Sequence, residues 1–405
     1  MKLKNCRICK KSKLKTLFSL GKLSFTGKFP SINEQIKKEP ITLVICKNCE
    51  LVQLGHSFDL KYLYGPDYGY RTGINKTMLN HVKQVVKYLS KKTKIKKNEY
   101  VLDIASNDGS LLNFYNKNLK TFGIDPILEK YKENYKNINF KVGNFFSARK
   151  IRQITKKKFK IITALSVFYD AADPNKFIKD VKQLLSKEGI FLLEFADLGS
   201  IIKNKMFDTI CHEHLEYYST KIILNLCKKY NLRVFDIKNN DINGSSNQYY
   251  ICHAKSKYQN NEKNIEDTLK FEKKLNLANV KTFKNFIKTI NDSRSKLNKF
   301  LKKKIRIGKK IHGYGASTKG NVLLQYYNID NTIVKYIAER NKNKFNLFTP
   351  GSSIKIISET LSRFYKPDYY LVLPWHFKKE ILKREIEIRK KGTKFIFPLP
   401  KLTII

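Results

Sequence analysis

Residues 100–112, YVLDIASNDGSLL, constrain this chain more than any other stretch. An apolar run ends on Asp103, breaks into small and polar residues, and resumes with leucines. That pattern reads as strand, tight turn and helix start, the opening unit of a doubly wound α/β domain. Ala105, Asn107 and Gly109 take the alternate positions where backbone must approach a ligand closely, with Asp108 between them. Asp125, in FGIDP and followed by Pro126, ends the next apolar run 22 residues after Asp103. An acid at about that distance can hydrogen-bond a ribose diol. The turn lacks a G-x-G-x-x-G pattern, which argues against NAD, and its carboxylates would repel a pyrophosphate. A cofactor with a ribose and an amino-acid part fits better, and S-adenosylmethionine is that cofactor.

The flanking segments extend the same sheet. Residues 142–146, VGNFF, place Asn144 and Phe145 to flank an adenine. Residues 160–169, KIITALSVFY, form the near-continuous apolar run of a buried parallel strand, with Ser166 near its end. Residues 189–195, GIFLLEF, are a further strand carrying an acid. Upstream, residues 62–70, YLYGPDYGY, form an aromatic linker whose last member, Tyr70, is expected at the cofactor. A helix with Met78, Val82, Val85, Val86 and Leu89 on one face follows.

After the last of these strands comes FDTICHEHLEYYS, residues 207–219, with two histidines, two glutamates and two tyrosines after Cys211. Acid/base groups crowded beyond the carboxyl end of a strand are where an α/β enzyme does its chemistry. On a helix His212 and His214 would point roughly 200° apart. In an extended segment they share a face with Glu213 opposite, so a loop or extended segment is expected. No third metal ligand stands nearby, which favours acid–base work over a metal pair.

Cys6 and Cys9, then Cys46 and Cys49, form two C-x-x-C knuckles. Two such pairs match a tetrahedral structural zinc site with no open coordination position. Cys211, Cys227 and Cys252 have no such pairing and are expected to be packed.

In the carboxyl third, residues 260–304 carry helical spacing with a solvated charged face. Residues 310–325, KIHGYGASTKGNVLLQ, then read as strand, Gly-rich loop and helix, followed by strands near 333–339, 369–375 and 394–398. This is a second, smaller doubly wound domain. Its helix amino terminus, with Gly313, Gly315, Lys319 and Gly320, is expected to offer amides and an ammonium to an anion.

A net charge of +47 invites a nucleic-acid reading. Only 11 of the 81 basic residues are Arg, the residue on which base-edge readout leans, so nucleic acid is not the expected partner. No apolar run reaches membrane-spanning length, and the first residues lack the apolar stretch of a signal peptide. A cytoplasmic protein with no membrane partner, a monomer or homodimer, is expected.

The two cysteine knuckles, the VLDIASNDGSLL turn, CHEHLEYYS, INGSSNQ at 242–248 and GYGASTKGN at 313–321 occur in that order. In this series the chain resembles the bacterial nucleotide-sugar C-methyltransferases over nearly its whole length. It departs from the best-known members at Cys211, where they have Tyr, and at Asp170, where many have His. The resemblance implies an α/β fold: a class I methyltransferase Rossmann-like domain (76–258) flanked by a small zinc-binding domain (1–75) and a second Rossmann-like α/β domain (259–405). It implies S-adenosylmethionine and structural zinc as cofactors and a nucleotide-diphospho-keto-deoxysugar as substrate. His214 would be the general base that forms an enolate for methyl transfer, and Glu213 would hold the sugar. Tyr217, Tyr218 or a backbone N–H would stabilise the oxyanion, with His212 in the same catalytic group. Asn243, Gly315, Ser317, Lys319 and Asn321 would bind the substrate, with its diphosphate on the carboxyl-terminal loop. Methylation at oxygen or nitrogen of a sugar, or of RNA, are the alternatives.

Overall fold

The computed structural model describes residues 1–65 and 68–405; Pro66 and Asp67, inside the aromatic linker, lie outside the described residues. Seventeen strands fall into three sheets among the described residues. In chain order they are β1 (Leu14–Ser24), β2 (Lys38–Cys46), β3 (Val52–Leu54), β4 (Tyr100–Ile104), β5 (Lys120–Ile124) and β6 (Phe140–Val142). Then come β7 (Phe159–Leu165), β8 (Leu185–Phe195), β9 (Glu216–Tyr217), β10 (Leu232–Asn240) and β11 (Ser246–His253). The last six are β12 (Ile311–Tyr314), β13 (Tyr336–Glu339), β14 (Lys355–Ser358), β15 (Tyr369–Val372), β16 (Lys394–Phe397) and β17 (Thr403–Ile404).

The central sheet has the order β10-β11-β8-β7-β4-β5-β6. Its β6-to-β8 portion is parallel, and β10 and β11 add antiparallel. The chain runs outward from β4 through β5 to β6, then crosses back to β7 on the other side of β4. The crevice between β4 and β7 is therefore the switch point where α/β sheets bind ligands. β7 is apolar because it is covered on both faces: Phe159, Ile161, Ile162 and Ala164 are all buried. The helix Lys76–Thr93 starts where the Asn75 side chain accepts from the Met78 amide, and it buries Met78, Val82, Val85, Val86 and Leu89.

Two local expectations fail. No α-helix follows the turn after β4; a 3₁₀ segment, Leu112–Phe114, stands there. Asn113 donates to the carbonyls of Gly109 and Asn134, and asparagine side chains that bond local backbone divert a segment from helix. β8 also begins four residues earlier than the 189–195 reading, directly after the helix Pro174–Leu184.

The carboxyl-terminal sheet runs β14-β13-β12-β15-β16-β17, parallel except for β17. The short strands β14 and β17 have no counterpart in the sequence reading. The helices Glu262–Leu275 and Val280–Arg306 precede it. The amino-terminal sheet, β1-β2-β3-β9, is completed by a strand from the HEH segment: Val52 pairs with Tyr217 and Gln53 with Glu216. Among the described residues no helix is long and apolar enough to cross a membrane.

Candidate functional site

The thiols come first. The Sγ atoms of Cys6, Cys9, Cys46 and Cys49 all lie within 4.8 Å of one another, with Cys6–Cys49 and Cys9–Cys46 both at 3.5 Å. A tetrahedron with zinc–sulfur bonds of about 2.3 Å has edges of about 3.8 Å, so the four thiols fit zinc. Cys211, Cys227 and Cys252 are buried and unbridged, as expected of packed thiols.

A cavity of about 510 Å³ opens at the β4/β7 switch point. Tyr70, Asp103, Ala105, Asn107, Asp125, Pro126, Asn144, Phe145 and Ser166 all line it. Three lining residues other than glycine, Ala105, Asn107 and Ser166, hold left-handed backbone at φ of 56°, 50° and 56°. Such conformations are held against a steric cost and cluster at ligand sites. Both Asp125 oxygens accept backbone amides, from Asn107 and Ile127, each at 2.8 Å. Burial raises Asp125 to about 6, and it raises Asp103, which accepts from the Thr163 hydroxyl, to about 7. This carboxylate-edged, phosphate-averse cavity fits S-adenosylmethionine.

Asp108 and Gly109 do not line the cavity. Asp108 points away from it, accepting from the Gly73 amide at 2.9 Å and pairing with Arg71 at 3.2 Å. Gly109 sits at φ +73°, where a Cβ would come within 2.8 Å of Ile138. Both residues build the turn rather than the binding surface. Two further residues at the cavity have weaker sequence signals. Asp170 lines it with a buried Oδ1 that has no hydrogen-bond partner. Glu194 also lines it, gripped by His81 Nε2 at 2.8 and 2.9 Å and by Gln248. His81 escaped the sequence reading because a lone histidine on a helix carries no local signal.

The HEH segment is extended and irregular, as expected, but its two histidines do not share a face. Bends at Cys211–Glu213 rotate them apart. His212 Nε2 donates to the Glu39 carbonyl at 3.0 Å, and the ring packs edge-on to Phe25 and Phe58. It is buried in the amino-terminal domain and belongs to its packing. Tyr218 likewise stacks on Phe168 at 4.7 Å, deep between elements. Glu213 accepts from the Thr26 hydroxyl at 3.1 Å, while its Oε1 and the Tyr217 hydroxyl are buried without a partner. Glu213, Tyr217 and Cys211 lie close enough to Asp170 that their charges interact.

His214 is different. Its Nδ1 meets the Thr209 carbonyl at 2.6 Å, which makes Nδ1 the protonated nitrogen and leaves the Nε2 lone pair free. The ring lies 4.1 Å from that of Tyr169. Burial, then the Lys319 ammonium, hold His214 down to about 3, so the imidazole is neutral.

In the carboxyl-terminal loop, three of the amides expected to face an anion already have partners within the chain. The Ala316 amide donates to Glu339 at 2.7 Å, and the Gly320 amide to Ser317 Oγ at 3.0 Å. Gly315, at φ +81°, packs on Pro374, and Asn321 Nδ2 donates to the Thr26 carbonyl at 2.7 Å. An amide already donating to a carboxylate has no N–H left for phosphate, and the carboxylate itself would repel one. Lys319 leaves its own domain: Nζ donates to the Asn243 carbonyl at 2.9 Å, and Asn243 Nδ2 donates to Ser166 Oγ at 3.0 Å. Gly315, Ser317 and Asn321 therefore serve the loop and its docking, whereas Asn243 and Lys319 meet beside the cavity.

Three family models match the chain in succession: a putative zinc binding domain over residues 6–64, a methyltransferase domain over 74–237, and a C-methyltransferase C-terminal domain over 241–400. The chain is 25% identical over 407 residues to the C-methyltransferase NovU of Streptomyces niveus, covering 99% of this chain and 96% of that protein. Among solved structures, the plantazolicin methyltransferase BamL, in complex with a substrate analog and SAH, is 16% identical over 44% of this chain and 87% of its own, with a TM-score of 0.36. An S-adenosylmethionine-dependent methyltransferase from Clostridium acetobutylicum is 12% identical over 43% of this chain and 92% of its own, with a TM-score of 0.35.

Proposed function

We propose that this chain, an S-adenosylmethionine-dependent methyltransferase carrying a zinc-binding domain, a methyltransferase domain and a C-methyltransferase C-terminal domain, methylates a carbon beside the ketone of a nucleotide-diphospho-keto-deoxysugar. The observation that carries this reading is His214. Its tautomer is fixed by Thr209, its free Nε2 is neutral, and its ring lies 4.1 Å from that of Tyr169, which precedes the cavity-lining Asp170 in the chain. The neutral imidazole is in the protonation state that accepts a C–H proton. It becomes a stronger base as substrate charge develops beside it to offset the burial and the Lys319 ammonium that hold it near 3. Glu213, with one oxygen anchored and one unpartnered, is suited to a sugar hydroxyl, and Asp170 stands beside it. Bound S-adenosylmethionine supplies an electrophilic methyl group.

The relative NovU bears the name C-methyltransferase, which supports carbon as the acceptor. We place the domain boundaries near residues 75 and 258, with the segment at 216–217 lent back to the first domain's sheet. A cytoplasmic site of action accords with a nucleotide-activated substrate. The test is a panel of nucleotide keto-sugars with labelled S-adenosylmethionine, followed by NMR. Loss of a carbon-bound proton at the methylated centre supports the reading; a methyl group on oxygen or nitrogen overturns it.

A further inference from the structure

One short turn holds two groups that the substrate would meet together. Phe207–Thr209 is a 3₁₀ turn. Its Thr209 carbonyl fixes the His214 ring, and its buried Asp208 lies beside the Lys319 ammonium. The same turn is clamped from the carboxyl-terminal domain. Trp375 Nε1 donates to Asp208 Oδ2 at 2.7 Å, and Phe207 stacks on Tyr327 at 5.0 Å, on the helix that bears Lys319.

Lys319 is under-used there. Its three N–H bonds have one acceptor among the described residues, the Asn243 carbonyl. Asp208 Oδ1 and His376 Nδ1, both in its surroundings, are buried and unpartnered. A partly buried ammonium with free donors, beside a neutral base and one residue removed from the cofactor cavity through Asn243 and Ser166, is poised for an anion that forms during the reaction. The two tyrosines expected to serve an oxyanion are turned into packing (Tyr218) or toward Glu213 and Cys211 (Tyr217).

We propose that Lys319 is a catalytic residue, its ammonium receiving the ketone oxygen as that oxygen becomes an enolate. This deepens the carbon-methylation reading and rests on it. His214 Nε2 forms a bond to the proton, and the C–H bond breaks. Its electron pair becomes the C=C bond, and the carbonyl π pair moves to oxygen, opposite Lys319. His214 becomes an imidazolium as the enolate forms, so the new negative charge lies between two positive groups. Asp208 offsets part of the Lys319 charge before substrate arrives.

The test is hydrogen–deuterium exchange, which needs no methyl transfer. The full chain with S-adenosylhomocysteine is mixed in deuterium oxide with thymidine-diphospho-4-keto-6-deoxyglucose as probe, and exchange beside the ketone is followed by NMR. Wild type exchanges. Lys319→Met should exchange roughly 100-fold or more slowly at saturating probe, with S-adenosylhomocysteine affinity unchanged. Lys319→Arg should keep more activity than Lys319→Met, and added methylammonium should restore part of the exchange in Lys319→Ala. A structural role predicts no such rescue. Exchange by Lys319→Met at the wild-type rate overturns the role of Lys319 and leaves carbon methylation standing. A raised Michaelis constant with unchanged saturated exchange, or weakened cofactor binding alone, also overturns it. A wild-type enzyme that methylates this probe without ever exchanging the proton overturns the enolate reading itself.

Discussion

The Arg7 guanidinium, set between the first two cysteines, lies 3.4 Å from the buried Glu216 carboxylate at the end of the HEH segment. It also donates to the Leu54 carbonyl at 2.8 Å and the His56 carbonyl at 2.8 Å. The metal knuckle and the catalytic segment thus share one charged joint, and β3 pairs with β9 directly beside it.

Breaking that joint from one side should be costly. Arg7→Met removes the nearest cation from Glu216, whose carboxyl burial already pushes well above the usual range, so the loss falls at or below the about 3–5 kcal/mol of a fully ionised buried pair. Denaturant unfolding should show that loss, and Arg7→Met combined with Glu216→Gln should recover a measurable part of it. Full additivity of the two substitutions would show that the pair is not coupled.

Elemental analysis should find one zinc per chain. Cys46→Ser, at the end of β2, should lower the melting temperature and the metal content together. Because a four-thiolate site has no open position, methyl transfer per folded molecule should fall less than stability does. A stable, fully active chain without metal would refute the structural zinc.

The two histidines should separate cleanly. His214→Asn should keep cofactor binding and lose methyl transfer by roughly two to four decades, the reach of general base catalysis. His212→Asn, which disturbs the Phe25–Phe58 cage, should show mainly in the melting temperature. The reverse pattern in a steady-state assay would exchange their roles.

Asp125→Ala should weaken S-adenosylhomocysteine binding by about 1–3 kcal/mol, because the ribose and two amides lose a buried acceptor. Isothermal calorimetry with unchanged affinity would remove Asp125 from the cofactor site.

His214 also has a signature in pH. Its folded pKa, about 3, lies below that of an unfolded histidine near 6.5, so the unfolded chain takes up the proton first. The neutral folded imidazole therefore favours folding above pH 6.5, and that advantage is lost as pH falls toward 3. Replacing it with Asn should flatten this part of the stability profile in urea titrations at pH 7 and pH 5. A slope identical to wild type would mean that His214 titrates normally.

Much of this was legible in residues 100–125, because strand ends, a turn glycine and an acid closing the next strand leave a local imprint. The cysteine knuckles were legible for the same reason: ligand spacing is a sequence property. The HEH chemistry was legible in type but not in orientation. Whether His212 and His214 share a face depends on bends at Cys211–Glu213 imposed by three converging domains. The surroundings of Lys319 were the least legible. Its loop resembles a phosphate cradle, yet Glu339, a residue of the next strand, already occupies the Ala316 amide. Such occupancy is a tertiary fact with no local trace. Glu194, gripped by His81, gained its meaning only once the fold brought it to the cavity wall.

The pairing of β3 with β9 has one more consequence, for the order of assembly. The amino-terminal sheet cannot close until the chain has been made as far as Tyr217, beyond most of the central sheet. Until then the edge of β3 stays open, an invitation to non-native pairing that its three-residue length keeps small. A contact this distant in sequence forms late and slows the search for the native state. The HEH segment is therefore finished only when its host is finished, so a half-folded chain has not yet set His214 in its place.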